Sequence, residues 1–333
     1  MPDMMIGKKP WNKGDKYKTF IEGIQTETFP HIPEDRDPPS WEEIEKCKML
    51  STLSCAGRHE LETDWKKLRE LDVAENVRSF AGNKVIHHFF TKEMLKTRYK
   101  GGKTLEEKYK EDPMKMWKQV CKIDRRKASP PNATDIFELN RAITFFKPSI
   151  AKYIYKKYKA TKVFDPCAGW GSRMLGAMSL GIDYVGCDTN TALKPIYKSV
   201  AKYFLGQSNN VEVHNTDCIK MLGMLLTLKS KTYDCVLTSP PYANLEVYPD
   251  MTPWKSEEVF YKKFLMPMIA RCYKLVKKGG VVCINISPKM YEDIMKLGFP
   301  PCHEAVDFLQ QKNTKQWGEG KGKQDFIYVW RKS

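Results

Sequence analysis

Apolar residues are spaced in two different ways along this chain. From residue 135 onward they form short runs separated by stretches of helical spacing. Lys162 to Asp165, a strand within Gly181 to Asp188, Val211 to His214, Tyr233 to Leu237 and Gly279 to Ile286 each read as a buried strand. Lys147 to Tyr155, with Pro148 in its first turn, and Glu257 to Val276 read as helices between them. Strands alternating with helices predict a parallel sheet covered on both faces. Two further runs, Ala305 to Leu309 and Asp325 to Trp330, predict a closing hairpin around a polar loop from Asn313 to Lys323. Between residues 40 and 127 the spacing is helical instead. Leu61, Trp65, Leu68 and Leu71 recur on one face, and Ser40-Trp-Glu-Glu43 has the form of a capping box. The expected layout is an irregular basic tail over 1–40, a mostly helical basic region over 41–132 and an α/β domain over 133–333. Ala128-Ser-Pro-Pro-Asn132 marks the boundary.

Charge adds a partner. The 333 residues carry a formal net charge of +16, which favours a polyanion such as nucleic acid. Between Lys84 and Lys127 there are fourteen Lys/Arg against six Asp/Glu, interleaved with Phe89, Phe90, Tyr99, Tyr109 and Trp117. That mixture suits phosphate neutralisation with base stacking, and Lys122, Arg125 and Arg126 are the candidate backbone contacts; a solvated helical face is the alternative. Ten cysteines include no Cys-x-x-Cys pair, and the histidines form no ligand pattern, so neither a disulfide frame nor a metal site is expected. No stretch of about 18 apolar residues predicts a membrane span. With no signal-peptide core either, the expectation is an intracellular protein, cytoplasmic or wherever its nucleic acid lies.

Two strand ends carry the candidate chemistry. Tyr233 to Leu237 runs into Thr238-Ser239-Pro240-Pro241-Tyr242. The prolines supply no N–H and stop the ladder. They leave a hydroxyl (Ser239), a rigid carbonyl (Pro240) and an aromatic face (Tyr242) at the carboxyl end of a strand, where open α/β sheets place their sites. This set suits a planar ring with an exocyclic amine; a mere proline-bounded loop closing a strand is the alternative. The other end is Val163-Phe-Asp-Pro-Cys-Ala-Gly-Trp-Gly-Ser-Arg-Met174. Gly169 and Gly171 permit a tight turn near a ligand. A dinucleotide loop is disfavoured, because Met174 replaces the third glycine and Asp165 would repel a pyrophosphate while attracting an ammonium group. Asp188 ends the next strand, where an acid can hold ribose hydroxyls, and Asp217 follows the third, where it can accept from an adenine amine. Taken together these acids describe a pocket for an amino-acid end, a ribose and an adenine, which S-adenosylmethionine fits.

On these two motifs, residues 135–333 resemble the S-adenosylmethionine-dependent DNA methyltransferases that modify exocyclic amines to N4-methylcytosine or N6-methyladenine. The resemblance implies a Rossmann-like class I methyltransferase sheet with helices on both faces. It implies cofactor binding by Asp165, Cys167, Ala168, Gly169, Gly171, Asp188 and Asp217, with Phe146, Lys147 and Pro148 closing over the methionine end. Catalysis falls to Ser239, Pro240, Pro241 and Tyr242, and no covalent cysteine is needed. Ser in first place is commoner in the cytosine enzymes, so N4 of cytosine is favoured over N6 of adenine. No separate recognition domain has room in this half, which leaves the basic segment 1–130 to meet the DNA. The alternatives are an RNA or protein-glutamine methyltransferase, and an inactive nucleic-acid-binding protein on the same fold. Gly7-Lys-Lys-Pro-Trp-Asn-Lys-Gly14 also resembles the short DNA-binding repeat of some homing endonucleases.

Overall fold

The computed structural model describes residues 38, 40–42, 57–74, 77, 79–124, 145–206, 210–228, 233–248, 251–307 and 326–333. Residues 7–14, Glu43, the 128–132 boundary, Arg125, Arg126 and the 313–323 loop lie outside them. The chain divides into two compact units, one of residues 1–56 with 105–140 and one of 57–104 with 141–333. The division is not the expected one, because 57–104 packs with the sheet.

In chain order the helices are α1 (Gly57–Glu70), α2 (Asn83–Met94), α3 (Leu105–Glu111), α4 (Pro113–Asp124), α5 (Pro148–Lys157), α6 (Ser172–Met178), α7 (Leu193–Leu205), α8 (Cys218–Thr227), α9 (Glu257–Phe260), α10 (Met266–Leu275) and α11 (Pro288–Lys296). A π turn, Tyr261–Leu265, joins α9 to α10. The main-sheet strands are β1 (Lys162–Asp165), β2 (Asp183–Asp188), β3 (Val211–Asn215), β4 (Tyr233–Thr238), β5 (Val276–Ile286), β6 (Glu304–Asp307) and β7 (Phe326–Arg331).

The smaller unit contains α3 and α4. Leu105, Tyr109 and Trp117 are buried, and the Tyr109 ring lies 5.8 Å from that of Trp41. Two aromatics expected to stack bases are thus core residues here; sequence shows that an aromatic lies among cations but not which way it faces.

The larger unit is a seven-stranded sheet of order β3-β2-β1-β4-β5-β7-β6. β3, β2, β1, β4 and β5 pair in parallel, and β7 is antiparallel to both β5 and β6. This is the Rossmann-like α/β class expected, with the predicted hairpin closing it. β5 begins earlier than its pattern suggests, since its register with β4 shifts between Tyr233 and Cys235. Strand residues alternate between two cores. Val163, Cys235, Leu237, Val281 and Cys283 pack with α1, α2, α5, α6 and α7, while Phe164, Val236, Val282 and Ile284 pack with α8, α10 and α11. Phe90, a third expected stacking residue, is fully buried in the first of these. Lys152 fastens α1 there. Its ammonium donates to the carbonyls of Leu68 (2.7 Å), Arg69 (2.7 Å) and Leu71 (3.1 Å), capping the helix C-terminus. Burial lowers the Lys152 pKa from its ordinary range. Strand order reverses between β1 and β4, so the carboxyl ends of these two strands flank the topological switch point where such sheets bind ligands.

Candidate functional site

The loop after β1 is held from several sides. Asp165 is fully buried. Its Oδ2 accepts from Arg173 Nε and from the Tyr184 hydroxyl, both at 2.7 Å, and its Oδ1 accepts from the Cys167 N–H at 3.2 Å. The Arg173 guanidinium also donates to the Cys167 carbonyl, and the Tyr155 hydroxyl donates to the Arg173 carbonyl at 3.2 Å. Despite its burial, Arg173 has its pKa raised by the Asp165 charge. The carboxylate expected to face an ammonium group is therefore already neutralised inside the protein. It organises the loop through Arg173, a residue to which the sequence reading gave no role. The signal was present: α6 is buried along its whole length, and a cation in such a helix requires an acid.

The two loop glycines differ. Both have positive φ, +54° at Gly169 and +70° at Gly171. A Cβ on Gly171 would meet the Phe90 ring at 2.8 Å, so its bareness serves α2 packing. A Cβ on Gly169 would meet nothing closer than 3.8 Å. The Gly169 N–H donates to Asp188 Oδ2 at 2.8 Å, and its carbonyl accepts from the Tyr197 hydroxyl. Ala168 is buried, and its N–H donates to the Cys187 carbonyl at 2.9 Å. The Cys167 thiol is pushed up by its contact with Cys218 and by burial, so it is not a thiolate at neutral pH.

Asp188 is half-buried, and its other oxygen accepts from the Asn190 N–H at 2.9 Å. Burial pushes its pKa up, and the Asp165 charge adds to the shift. Each oxygen takes one N–H and retains a lone pair for a hydroxyl. Thr216 N–H donates to the Asp188 carbonyl at 3.0 Å, bringing the end of β3 alongside. Asp217 is the N-cap of α8, accepting from the Lys220 N–H at 3.0 Å. Phe146 lies with its ring 5.5 Å from the Arg173 guanidinium carbon. Lys147 caps α5, Pro148 occupies its first position, and Lys147 Nζ lies 4.1 Å from the centroid of Phe80. Contacts thus join Phe146, Asp165, Cys167, Ala168, Gly169 and Asp188, with Asp217 at the neighbouring strand end. Lys122 lies in α4, in the other unit.

The end of β4 is finished sparingly. Among the described residues Thr238 Oγ1 is buried with no hydrogen-bond partner, as is Ser172 Oγ at the start of α6. Ser239 is half-buried, Pro240 buried, and Pro241 and Tyr242 half-buried. The Pro240 carbonyl accepts no backbone N–H among the described residues. A turn then follows: Leu245 N–H donates to the Tyr242 carbonyl at 2.9 Å, with Ala243 at φ +47°. Asn244 clamps Trp254 by two 2.7 Å hydrogen bonds, donating to its carbonyl and accepting from its N–H. Beyond the turn the Tyr248 ring stands 5.9 Å from that of Trp170 in the glycine loop. The segment after the Pro-Pro element therefore returns over the loop after β1, which no short motif announces. Among the described residues no group of three His, Cys, Asp or Glu is placed to hold a metal ion. None of their helices is long and apolar enough to cross a membrane.

No family model and no curated protein sequence matches this chain. Among solved structures it is similar to TrmN from Thermus thermophilus, at 16% identity and TM-score 0.41 over 62% of this chain and 55% of that one. It is also similar to a SAM-dependent methyltransferase from Agrobacterium tumefaciens, at 12% and 0.40 over 55% and 61%. A third is the tRNA (m1A58) methyltransferase TrmI from Aquifex aeolicus, at 11% and 0.38 over 58% and 72%. The chain spans less than two thirds of the first two. At these TM-scores the likeness assigns no activity, and the fold class stands on the sheet order itself.

Proposed function

We propose that this chain transfers a methyl group from S-adenosylmethionine to an exocyclic amine of a base in DNA, N4 of cytosine ahead of N6 of adenine. One observation carries the reading: Ser239-Pro-Pro-Tyr242 follows β4 at the switch point, beside the glycine loop that follows β1. The fit to the cofactor rests on the donors and acceptors present. Asp188 has lone pairs for ribose hydroxyls, Gly169 has an uncrowded face, and Asp217 retains acceptor capacity for an adenine amine. Phe146, Lys147 and Pro148 would cover the methionine end, with Cys167, Ala168 and Gly171 shaping the loop and Asp165 acting through Arg173. When bound, the cofactor supplies an electrophilic methyl on sulfur.

The remaining work belongs to the chain. An exocyclic nitrogen is a poor nucleophile because its lone pair is delocalised into the ring. Ser239 Oγ and the Pro240 carbonyl accept hydrogen bonds from the two amine N–H groups, which draws the nitrogen toward tetrahedral geometry and aims its lone pair; the methyl would leave sulfur as the N–C bond forms, and one amine proton would be lost to solvent. Positioning and electrostatics supply the rate. Extruding the base costs a few kcal/mol, and stacking on Tyr242, worth about 1–3 kcal/mol, offsets much of it. A neutral serine hydroxyl also avoids setting a full charge beside the cytosine N3 and O2 acceptors. The test is mass spectrometry of nucleosides from DNA incubated with protein and labelled cofactor. N4-methylcytosine is expected. N6-methyladenine alone would overturn the base, and neither product, with cofactor and DNA both bound, would turn the reading to an RNA or protein acceptor.

A further inference from the structure

Helix α7 carries a row of cations that no acid answers. Lys194, Lys198 and Lys202 stand four residues apart, so they share one face of the helix, and all three are exposed. From Thr189 to Val211 the chain contains no Asp or Glu. Among the described residues none of the three lysines has an ion-pair partner. The helix gains nothing from this row. Lysines at i,i+4 repel one another, and Lys194 sits in the first turn, at the positive end of the helix dipole, where an acid would be favourable and none is present. The other face holds the helix in place, with Leu193, Tyr197 and Val200 buried. A second exposed row, Pro195, Ser199 and Tyr203, adjoins the lysines and carries no charge. The lysine face starts at the site. Asn190 N–H donates to Asp188, and Leu193 N–H donates to the Asn190 carbonyl at 3.2 Å, so α7 leaves directly from that acid. The Tyr197 hydroxyl ties the next turn to the Gly169 carbonyl. From Lys194 to Lys202 the row runs about 12 Å along the helix axis.

We propose that Lys194, Lys198 and Lys202 form a phosphate track that holds the backbone of the DNA flanking the extruded base. The inference rests on the methyltransferase reading above and deepens it by naming the surface that meets the substrate. An unanswered row of cations that weakens its own helix matches a polyanion outside the protein. S-adenosylmethionine carries no phosphate, so the row does not serve the cofactor. Each ammonium is a point charge without the fork that reads a base edge, so the track supplies affinity and register and leaves the choice of base to the Pro-Pro element. It lies in the same compact unit as the glycine loop. The basic run expected to bind DNA is split between the two units, and its Phe90, Tyr109 and Trp117 are buried.

The test is the salt dependence of full-length protein binding to a fluorescein-labelled DNA duplex, with calorimetric S-adenosylmethionine binding as the check on folding. Lys194→Gln, Lys198→Gln and Lys202→Gln together should reduce the slope of log affinity against log salt by about 2 to 3, since each phosphate contact contributes about 0.9. Cofactor affinity should stay at the wild-type value. A matched variant, Lys263→Gln, Lys274→Gln and Lys278→Gln, removes the same charge from other exposed positions and should keep the wild-type slope. Should the α7 triple variant lose cofactor binding, Lys198→Gln alone should still lower the slope by about one. A wild-type slope in the α7 variants, or an equal drop in the matched one, would overturn the track and leave the methyltransferase reading standing. A wild type that binds cofactor but no DNA, or an α7 effect confined to an RNA probe, would overturn the DNA reading and the track together.

Discussion

At the end of β1 both oxygens of Asp165 have partners, whereas at the end of β4, among the described residues, the Thr238 hydroxyl is buried without one and the Pro240 carbonyl takes no backbone donor. The two strands are neighbours in one sheet, so the contrast is local. A loop whose buried charge is cancelled, whose carbonyls are pinned by Arg173 and Tyr197 and whose glycine rests on Phe90 is shaped before any ligand arrives. An end with unspent acceptors is completed by what it binds, because buried polar atoms seek partners. In the proposed reaction the first end receives the same cofactor in every cycle, and the second must grip a base only while that base is out of its helix.

Breaking the first end should have the largest effect. Arg173→Met leaves Asp165 as an uncompensated buried charge and should cost about 3–5 kcal/mol in urea unfolding; adding Asp165→Asn should recover much of it. Loss of less than about 1 kcal/mol in the single variant would mean the pair does not hold the loop. The second end should answer oppositely. Ser239→Ala should leave unfolding within about 0.5 kcal/mol of wild type while methyl transfer to DNA falls about 100-fold or more. Equal losses of stability and rate would erase the contrast.

The smallest effect sharpens the comparison through pH. Asp188 has its folded pKa raised by burial above the unfolded value near 3.9. The folded state therefore holds the proton more tightly. The stability this contributes is fully present below the unfolded pKa and is lost as pH rises through the folded pKa. Asp188→Asn should lack that decline. Urea midpoints of the two proteins, measured from about pH 3 to pH 7, should show wild type losing ground relative to the variant as pH rises. Parallel profiles would mean that Asp188 titrates normally.

The strands could be read from sequence because each is a short apolar run ended by a residue that breaks pairing, as Pro240 does. The candidate acids were legible for the same reason: Asp165 and Asp188 close runs of buried residues, and Asp217 follows another strand. What was not legible crosses between elements. Arg173 with Asp165, Tyr184 with Asp165, Tyr197 with Gly169 and Tyr248 with Trp170 depend on packing that no periodicity encodes. The stacking role expected of three aromatics in the basic segment was misplaced for a related reason. Phe90, Tyr109 and Trp117 are interleaved with lysines along the chain, but a helix sorts them to opposite faces, and burial took the aromatics.

The three carbonyls held by Lys152 also order events in time. Synthesis proceeds from the N-terminus, at roughly 5–20 residues per second, and domains fold as units. Helices α1 and α2 emerge with the apolar face of Leu61, Trp65, Leu68, Val85, Ile86 and Phe90 already made, while the residues that cover it, Ala151, Met174 and Tyr197 among them, are not yet translated. Residues 105–140, which belong to the other compact unit, come between. The ammonium of Lys152 arrives after that interval and finds the end of α1 more than eighty residues behind it, at Leu68, Arg69 and Leu71. Docking of the first helices is thus a late, long-range closure: for several seconds of every synthesis the opening stretch of this unit is a partner waiting for its sheet.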